Sequence, residues 1–143
     1  MDESTNGASL QRIFGYSSAA RQNLLWDSAR GVVVYSVGCN LVVHDVREVA
    51  QSFPGGHGSC ISTLAQSADG KLVVSASGPV SGEASDVNVS MRVWTRNELN
   101  ELAPVFSAHQ HDDSGVQSVC VLVDDFIVSL SCYDEQLEGS MMI

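Results

Sequence analysis

Two stretches of this chain read as copies of one another. When Cys60–Ser77 is laid over Gly115–Ser131, Ile61 meets Val116 and Leu64 meets Val119, both 55 residues on. Ser75 then meets Ser129 and Ser77 meets Ser131 at 54, so the later copy turns one residue sooner. Upstream, Gly56-His57 meets Ala108-His109 at 52. A weaker third copy covers Leu24 to Asp45, with His44-Asp45 standing 50 residues before Trp94-Thr95. A unit that recurs at this spacing cannot bury its apolar face alone and must stack on its neighbours. Repeat architectures are what such a chain can fold into.

The copies are made of strands. The chain holds 20 Val and 21 Ser against four Phe, a balance that suits short strands joined by small polar turns. Leu24-Leu25-Trp26, Val32 to Val37, Leu41-Val42-Val43, Val49 to Phe53, Cys60 to Ala65 and Leu72 to Ser77 read as strands, followed by Met91 to Trp94, Leu102 to Phe106, Val116 to Val123, Phe126 to Ser131 and one starting at Met141. Pro54-Gly55-Gly56 reads as a breaker. Ser67-Ala68-Asp69-Gly70 carries the strongest hairpin chemistry, since Asp and Gly tolerate positive φ. The best helical candidate, Thr95 to Leu102, is short and runs into Pro104. Residues 1–10 form a polar, acidic tail that is expected to be disordered. An all-β sandwich, barrel or propeller is implied.

Charge narrows the partners. Seven basic residues against 17 acidic ones give a net charge of −10, and Lys71 is the one lysine. Phosphate backbones and anionic membranes are held by clustered Lys and Arg, so neither nucleic acid nor membrane is an expected partner. No apolar run approaches the ~20 residues of a spanning helix, and Met1 to Ser9 lacks the basic and apolar regions of a secretory leader. Cys39, Cys60, Cys120 and Cys132 form no C-x-x-C pair and lie beside apolar stretches. Buried, reduced thiols of a cytoplasmic protein are expected, ahead of disulfides or zinc.

The middle copy resembles the WD-repeat family, whose unit is a four-stranded propeller blade of ~40–45 residues running from Gly-His to Trp-Asp. Gly56-His57, the Asp69-Gly70 hairpin, Val73-Val74-Ser75-Ala76-Ser77 and Met91-Arg92-Val93-Trp94-Thr95 carry the resemblance. Thr95 stands for the family's Asp, and the loop from Gly78 through Ser90 is enlarged. The outer copies depart further, with His44 for Trp in the first and Ala108 for Gly in the third. The resemblance implies a buried polar tetrad of His57, Ser75 and Trp94 with Asp86 (or Asn88) as fourth member. It implies an all-β partial propeller of two to three four-stranded antiparallel blades, at about residues 11–53, 54–106 and 107–143, the last cut short. Propellers close with about four to eight blades. The chain is therefore expected to be an N-terminal piece of a longer propeller, or to need further copies of itself to close the ring.

A narrower likeness lies in Tyr35-Ser36-Val37-Gly38-Cys39-Asn40-Leu41-Val42-Val43, Gly56-His57-Gly58 and Val128-Ser129-Leu130. These resemble the opening blades of cilia- and flagella-associated and echinoderm microtubule-associated protein-like WD-repeat proteins. Scaffolds that bind MAP kinases open in a similar way.

Other constellations carry less chemistry. His109-Gln110-His111-Asp112-Asp113 offers metal-like donors, but from one loop with no distant partner, whereas zinc normally takes four placed donors. Asp124-Asp125 and Asp134-Glu135 pair carboxylates on turns rather than across a cleft. Cys60 with His57 is a formal nucleophile and base, without the electropositive setting that a thiolate needs. Asn88-Val89-Ser90 matches a glycosylation acceptor without a secretory route. Gly78-Pro79-Val80-Ser81-Gly82 lacks the Lys and helix of a phosphate-cradling loop. Trp94 reads as core, and Trp26 as either core or anchor. No catalytic residue, metal or cofactor is expected. The expected function is a non-enzymatic protein-interaction scaffold in the cytoplasm, on the cytoskeleton or in the cilium, with axonemal or microtubule-associated partners. The loops at Gly78, Glu83 and Asp86 and at His109, His111, Asp112 and Asp113 are its expected contacts. A kinase-pathway adaptor is the alternative, and a small Cys/His hydrolase a distant one.

Overall fold

A computed structural model describes residues 10–16, 22–78, 91–108, 115–123, 126–131 and 141–142. Eleven strands form three antiparallel sheets, and no α-helix occurs among the described residues. The first sheet takes β1 (Leu24–Asp27), β2 (Val32–Val37), β3 (Asn40–Asp45) and β4 (Ala50–Gly56) in chain order. The second takes β5 (Ile61–Gln66), β6 (Leu72–Ser77), β7 (Met91–Arg96) and β8 (Leu102–Ala108). In the third, β9 (Val116–Val121) pairs with β10 (Ile127–Ser131), which pairs with β11 (Met141–Met142). Thr95–Leu102 is no helix: β7 runs on to Arg96, and Asn97 then closes a turn by accepting from the Leu99 and Glu101 N–H groups.

Each meander follows from local chemistry. Gly70 sits at φ +70 and Asp69 accepts from the Lys71 N–H at 3.0 Å, which turns β5 into β6. Gly38, at φ +59, and Cys39 join Val37 to Asn40 in the tightest hairpin. The expected breaker at Pro54 does not break. β4 runs through Pro54 to Gly56 because it is the last strand of its sheet, where a missing N–H costs no ladder bond. Its register shifts opposite Val42, and the same shift recurs between Val93 and Trp94, where β8 carries Pro104.

The sheets stack face to face, β1 against β5 and β4 against β8, then β5 and β6 against β9. Strand alternation sends Val32, Val34, Leu41 and Val43 of the first sheet onto Ile61, Leu64, Val73 and Trp94 of the second. The opposite face of the second sheet, with Val74, Ala76, Met91 and Val93, packs on Val116 and Val119 of the third. Since the middle sheet is covered on both sides, β6 is buried from Val73 through Ser77 without alternation. The repeat offsets reappear as register: Leu64 pairs with Ser75, and Val119 with Ser129.

Candidate functional site

The crossing from the first sheet to the second is made by Gly56-His57. The His57 N–H donates to the Cys39 carbonyl at 2.8 Å, the Ile61 N–H to the Gly38 carbonyl at 2.9 Å, and the Gly78 N–H to the Cys60 carbonyl at 3.0 Å. A Cβ on Gly56 would lie 2.2 Å from the Cys39 carbonyl oxygen. Only glycine permits this approach, because the obstacle is backbone. The chain so held aims the His57 ring into the second sheet, where its Nε2 stands 2.7 Å from Ser75 Oγ. Trp94 Nε1 donates to the same oxygen at 2.8 Å. Ser75 and Trp94 are fully buried and His57 nearly so. One hydroxyl on β6 thus joins the end of the first sheet to an indole on β7. Asp86 and Asn88 lie outside the described residues.

The register keeps the placing of the equivalent residues in the first sheet: Val33 pairs with His44 as Val73 pairs with Trp94, and Tyr35 stands where Ser75 does. Ser36, fully buried, lies on the other face, with Val34 and Val43, toward the second sheet. Among the described residues Ser36 Oγ finds no hydrogen-bond partner.

The other rim holds a charged joint that sequence reasoning missed. Asp27 Oδ2 lies 2.8 Å from Arg30 Nη1 and 3.1 Å from Arg96 Nη1, and Arg30 Nη1 also donates to the Asp69 carbonyl at 3.0 Å. The Arg96 side chain is wholly buried. Burial by itself raises the Asp27 pKa, but hydrogen bonds from the Arg30 side chain and backbone and the charges of Arg30 and Arg96 outweigh it and hold the carboxyl below its ordinary value. Burial pulls the Arg96 pKa down, against the pull of Asp27. The signal was present: Arg96 stands two residues after Trp94, so strand alternation puts both on the face that meets the first sheet.

The cysteines are not the buried thiols expected. Cys60 and Cys120 are exposed and Cys39 is half-buried, all three free; Cys132 lies outside the described residues. Cys60 escapes burial because it precedes β5, whose first residue, Ile61, takes the core position. The Nε2 of His57 is turned to Ser75. Trp26 is half-exposed on β1, whereas Trp94 is core. Of the expected contact loops, Gly78 is buried at the end of β6. Glu83, Asp86, His109, His111, Asp112 and Asp113 lie outside the described residues, as do Asp124-Asp125 and Asp134-Glu135. Among the described residues no three His, Cys, Asp or Glu side chains converge as metal ligands, and no helix is long and apolar enough to cross a membrane.

Four-stranded antiparallel meanders, stacked face to face and joined from the last strand of one to the first strand of the next, are blades of a β-propeller. The Gly-His crossing and its serine–tryptophan anchor accompany that architecture here. The chain belongs to the WD-repeat family. It is 31% identical over 130 residues, 89% of its length, to WD repeat-containing protein 90 of Mus musculus, and 38% identical over 85 residues to that of Homo sapiens. The Xenopus tropicalis protein of that name is 36% identical over 85 residues. The chain spans 4–6% of the length of these relatives. No family model matches it. Its fold is similar to that of a chain in the crystal structure of the mitotic checkpoint complex, with a TM-score of 0.56 and 14% identity over 76% of this chain and 32% of that one.

Proposed function

We propose that this chain is part of a protein-interaction scaffold, in which WD-repeat blades hold loops and rims in place for other proteins in a ciliary or microtubule-associated assembly. The observation behind this reading is a frame fastened at both rims, by His57–Ser75–Trp94 at one and Asp27–Arg30–Arg96 at the other. Loops set on such a frame are where binding is concentrated. The segments Gly78–Asp86 and His109–Asp113 are the proposed contacts, and further blades, from the same polypeptide or from other copies, complete the ring. The tyrosine, Gly-Cys and apolar strand of Tyr35–Val43 support the ciliary and microtubule setting through their resemblance to that group. A net charge of −10 opposes an acidic tubulin surface, so contact with microtubules is local or made through a basic partner.

The test compares the chain with versions in which Gly78–Asp86 or His109–Asp113 is replaced by Gly-Ser of equal length. Each is immobilised and offered axonemal proteins and MAP-kinase pathway components, with thermal unfolding as the control for the frame. Selective loss of axonemal capture at unchanged melting temperature supports the reading. Equal capture by all three refutes the loops as contacts, and capture of kinase components alone refutes the ciliary setting.

A further inference from the structure

The blades of a propeller radiate from an axis, so neighbouring sheets lie closest at their inner strands and part toward their outer ones. Here β1 lies against β5 at the inner end, and β4 faces β8 at the outer. The first sheet puts small residues at that outer end. Gly55 pairs with Leu41 and so faces the second sheet, where the Trp94 ring comes within 3.3 Å of the place a Cβ would take. Ser52 pairs with Val43, which turns it to the same side, and it is exposed. Leu102 looks back from β8 with the core cluster, and between the two strands the wedge stays open as a groove of ≈ 420 Å³. Phe53, Pro54 and Leu102 give it apolar walls, and Ser52, Asn97 and Glu101 give it polar ones.

A closed ring keeps this groove. Both sheets that frame it have all four strands, and further blades stack on sheet faces, beyond the first sheet on one side and the third on the other. Neither addition covers a gap between the outer strands of two blades already in place.

Its surroundings are acidic. The turn from β7 to β8 carries Glu98 and Glu101, and the turn from β3 to β4 carries Asp45 and Glu48; Arg47 is the one cation of residues 45–49 and 97–101. A hydrogen bond between the Asp45 and Asn100 side chains brings the two turns together. Asn97 Nδ2 donates to Glu101 Oε2 at 2.7 Å and fixes that carboxylate beside the groove. Arg47 turns elsewhere, its Nη2 donating to the Ala29 carbonyl at 3.4 Å. Arg96 borders the groove, but its guanidinium is given to Asp27 and its side chain shows no surface. Four carboxylates therefore surround an apolar slot with one diverted guanidinium against them.

We propose that the groove between β4 and β8 docks a basic segment of a partner protein, with an aliphatic side chain seated against Phe53, Pro54 and Leu102 and a neighbouring lysine or arginine at Glu101. Charge complementarity selects the partner, and the apolar walls strengthen it by thinning the water around the Glu101 carboxylate. The register slips of β4 and β8 deny the segment a place as an added strand, so side chains hold it. The site lies apart from Gly78–Asp86 and His109–Asp113, which leave the second sheet at its other rim, and it stands or falls without them.

The experiment uses the full chain and three fluorescein-labelled peptides, read by fluorescence anisotropy at physiological salt. They are Gly-Lys-Arg-Leu-Lys-Gly, the same peptide with Ser for Leu, and Gly-Glu-Asp-Leu-Glu-Gly. The leucine peptide should bind about tenfold more tightly than the serine one, the factor that partial burial of one leucine gives, and the acidic peptide should not bind. Ser52→Trp fills the groove from β4 without changing the net charge, and should weaken the leucine peptide about tenfold, to the level of the serine one. Glu101→Gln should weaken both basic peptides about threefold. Absence of binding overturns the proposal, as does indifference to Glu101→Gln. Equal binding of the leucine and serine peptides, or indifference to Ser52→Trp, overturns it by reducing the contact to general attraction between opposite charges. A measurement on the wild type needs no variant. As the leucine peptide is added, the amide NMR signals of Ser52, Phe53, Glu101 and Leu102 should shift more than those of Asp69 and Lys71, and the reverse order overturns the proposal too.

Discussion

Replacing Ser75 by alanine removes the oxygen that His57 and Trp94 share and leaves the surrounding packing almost unaltered in volume. The Trp94 N–H, on a side chain with no exposed surface, then has no water to turn to. A stranded buried donor costs ~1–3 kcal/mol, and the lost contact with His57 adds roughly 0.5–1.5 kcal/mol. Ser75→Ala should therefore destabilise by about 2–4 kcal/mol, or roughly 6–15 °C in melting temperature for a chain of this length. Ser36 supplies the control. It is a serine of the first sheet as fully buried as Ser75, but its hydroxyl has no partner among the described residues. Ser36→Ala removes a polar atom that gains nothing by being there, so its effect should fall within about 0.5 kcal/mol of zero or be stabilising. Urea titrations of both variants, with midpoints compared at unchanged slope, give the difference directly. Trp94→Phe completes a double-mutant cycle, in which the coupling to Ser75 should be about 1 kcal/mol or more. If the two alanine variants unfold within about 0.5 kcal/mol of each other, the hydroxyl is not the fastener described here.

Asp27→Asn should cost about 3 kcal/mol, because it leaves the buried Arg96 guanidinium without its counter-charge. The folded-state pKa of Asp27 is depressed, so this contribution is complete above the unfolded value of ~3.9 and is lost as pH falls below it. The stability gap between wild type and Asp27→Asn should be flat above about pH 5 and narrow below about pH 4; a gap that widens in acid contradicts the assignment. Gly56→Ala forces a Cβ onto the Cys39 carbonyl and should destabilise by more than ~2 kcal/mol, whereas Gly38→Ala meets no atom within 4 Å and bears only the left-handed strain of ~1 kcal/mol. Thermal unfolding that ranks them the other way refutes the close-approach argument. Native-state alkylation followed by peptide mapping should label Cys60 and Cys120 ahead of Cys39, and protection of Cys60 to the unfolding transition would place it in the core after all.

The strands and their turns were legible because period-two alternation and turn chemistry are local. Asp69-Gly70 and Gly38-Cys39 announce their hairpins, and the offsets of 55 and 54 residues return as the pairings of Leu64 with Ser75 and Val119 with Ser129. His44 does stand where Trp94 stands, since Val33 pairs with it as Val73 pairs with Trp94. What was misread depended on neighbours. Pro54 breaks a central strand but not the last one of a sheet. Cys60 looked buried beside an apolar run, yet the run begins one residue later. The charged joint joins Asp27 to Arg96 across 69 residues, a distance that alternation hints at and only stacking closes. Of the residues singled out for the polar network, His57 and Trp94 each reach the Ser75 hydroxyl.

Pro54 and Pro104 have a consequence for how such a molecule can grow. Each lies on the outermost strand of a complete sheet, beside a register slip that twists the strand out of line. An intruding strand that tried to zip along either border would find a gap in the donor row and a kink where it needs a straight rail. Lateral fibre-like accretion is thereby discouraged, and growth is left to the faces of the sheets, where the three sheets of this chain already meet. The molecule can lengthen as a stack of plates but resists widening as a ribbon.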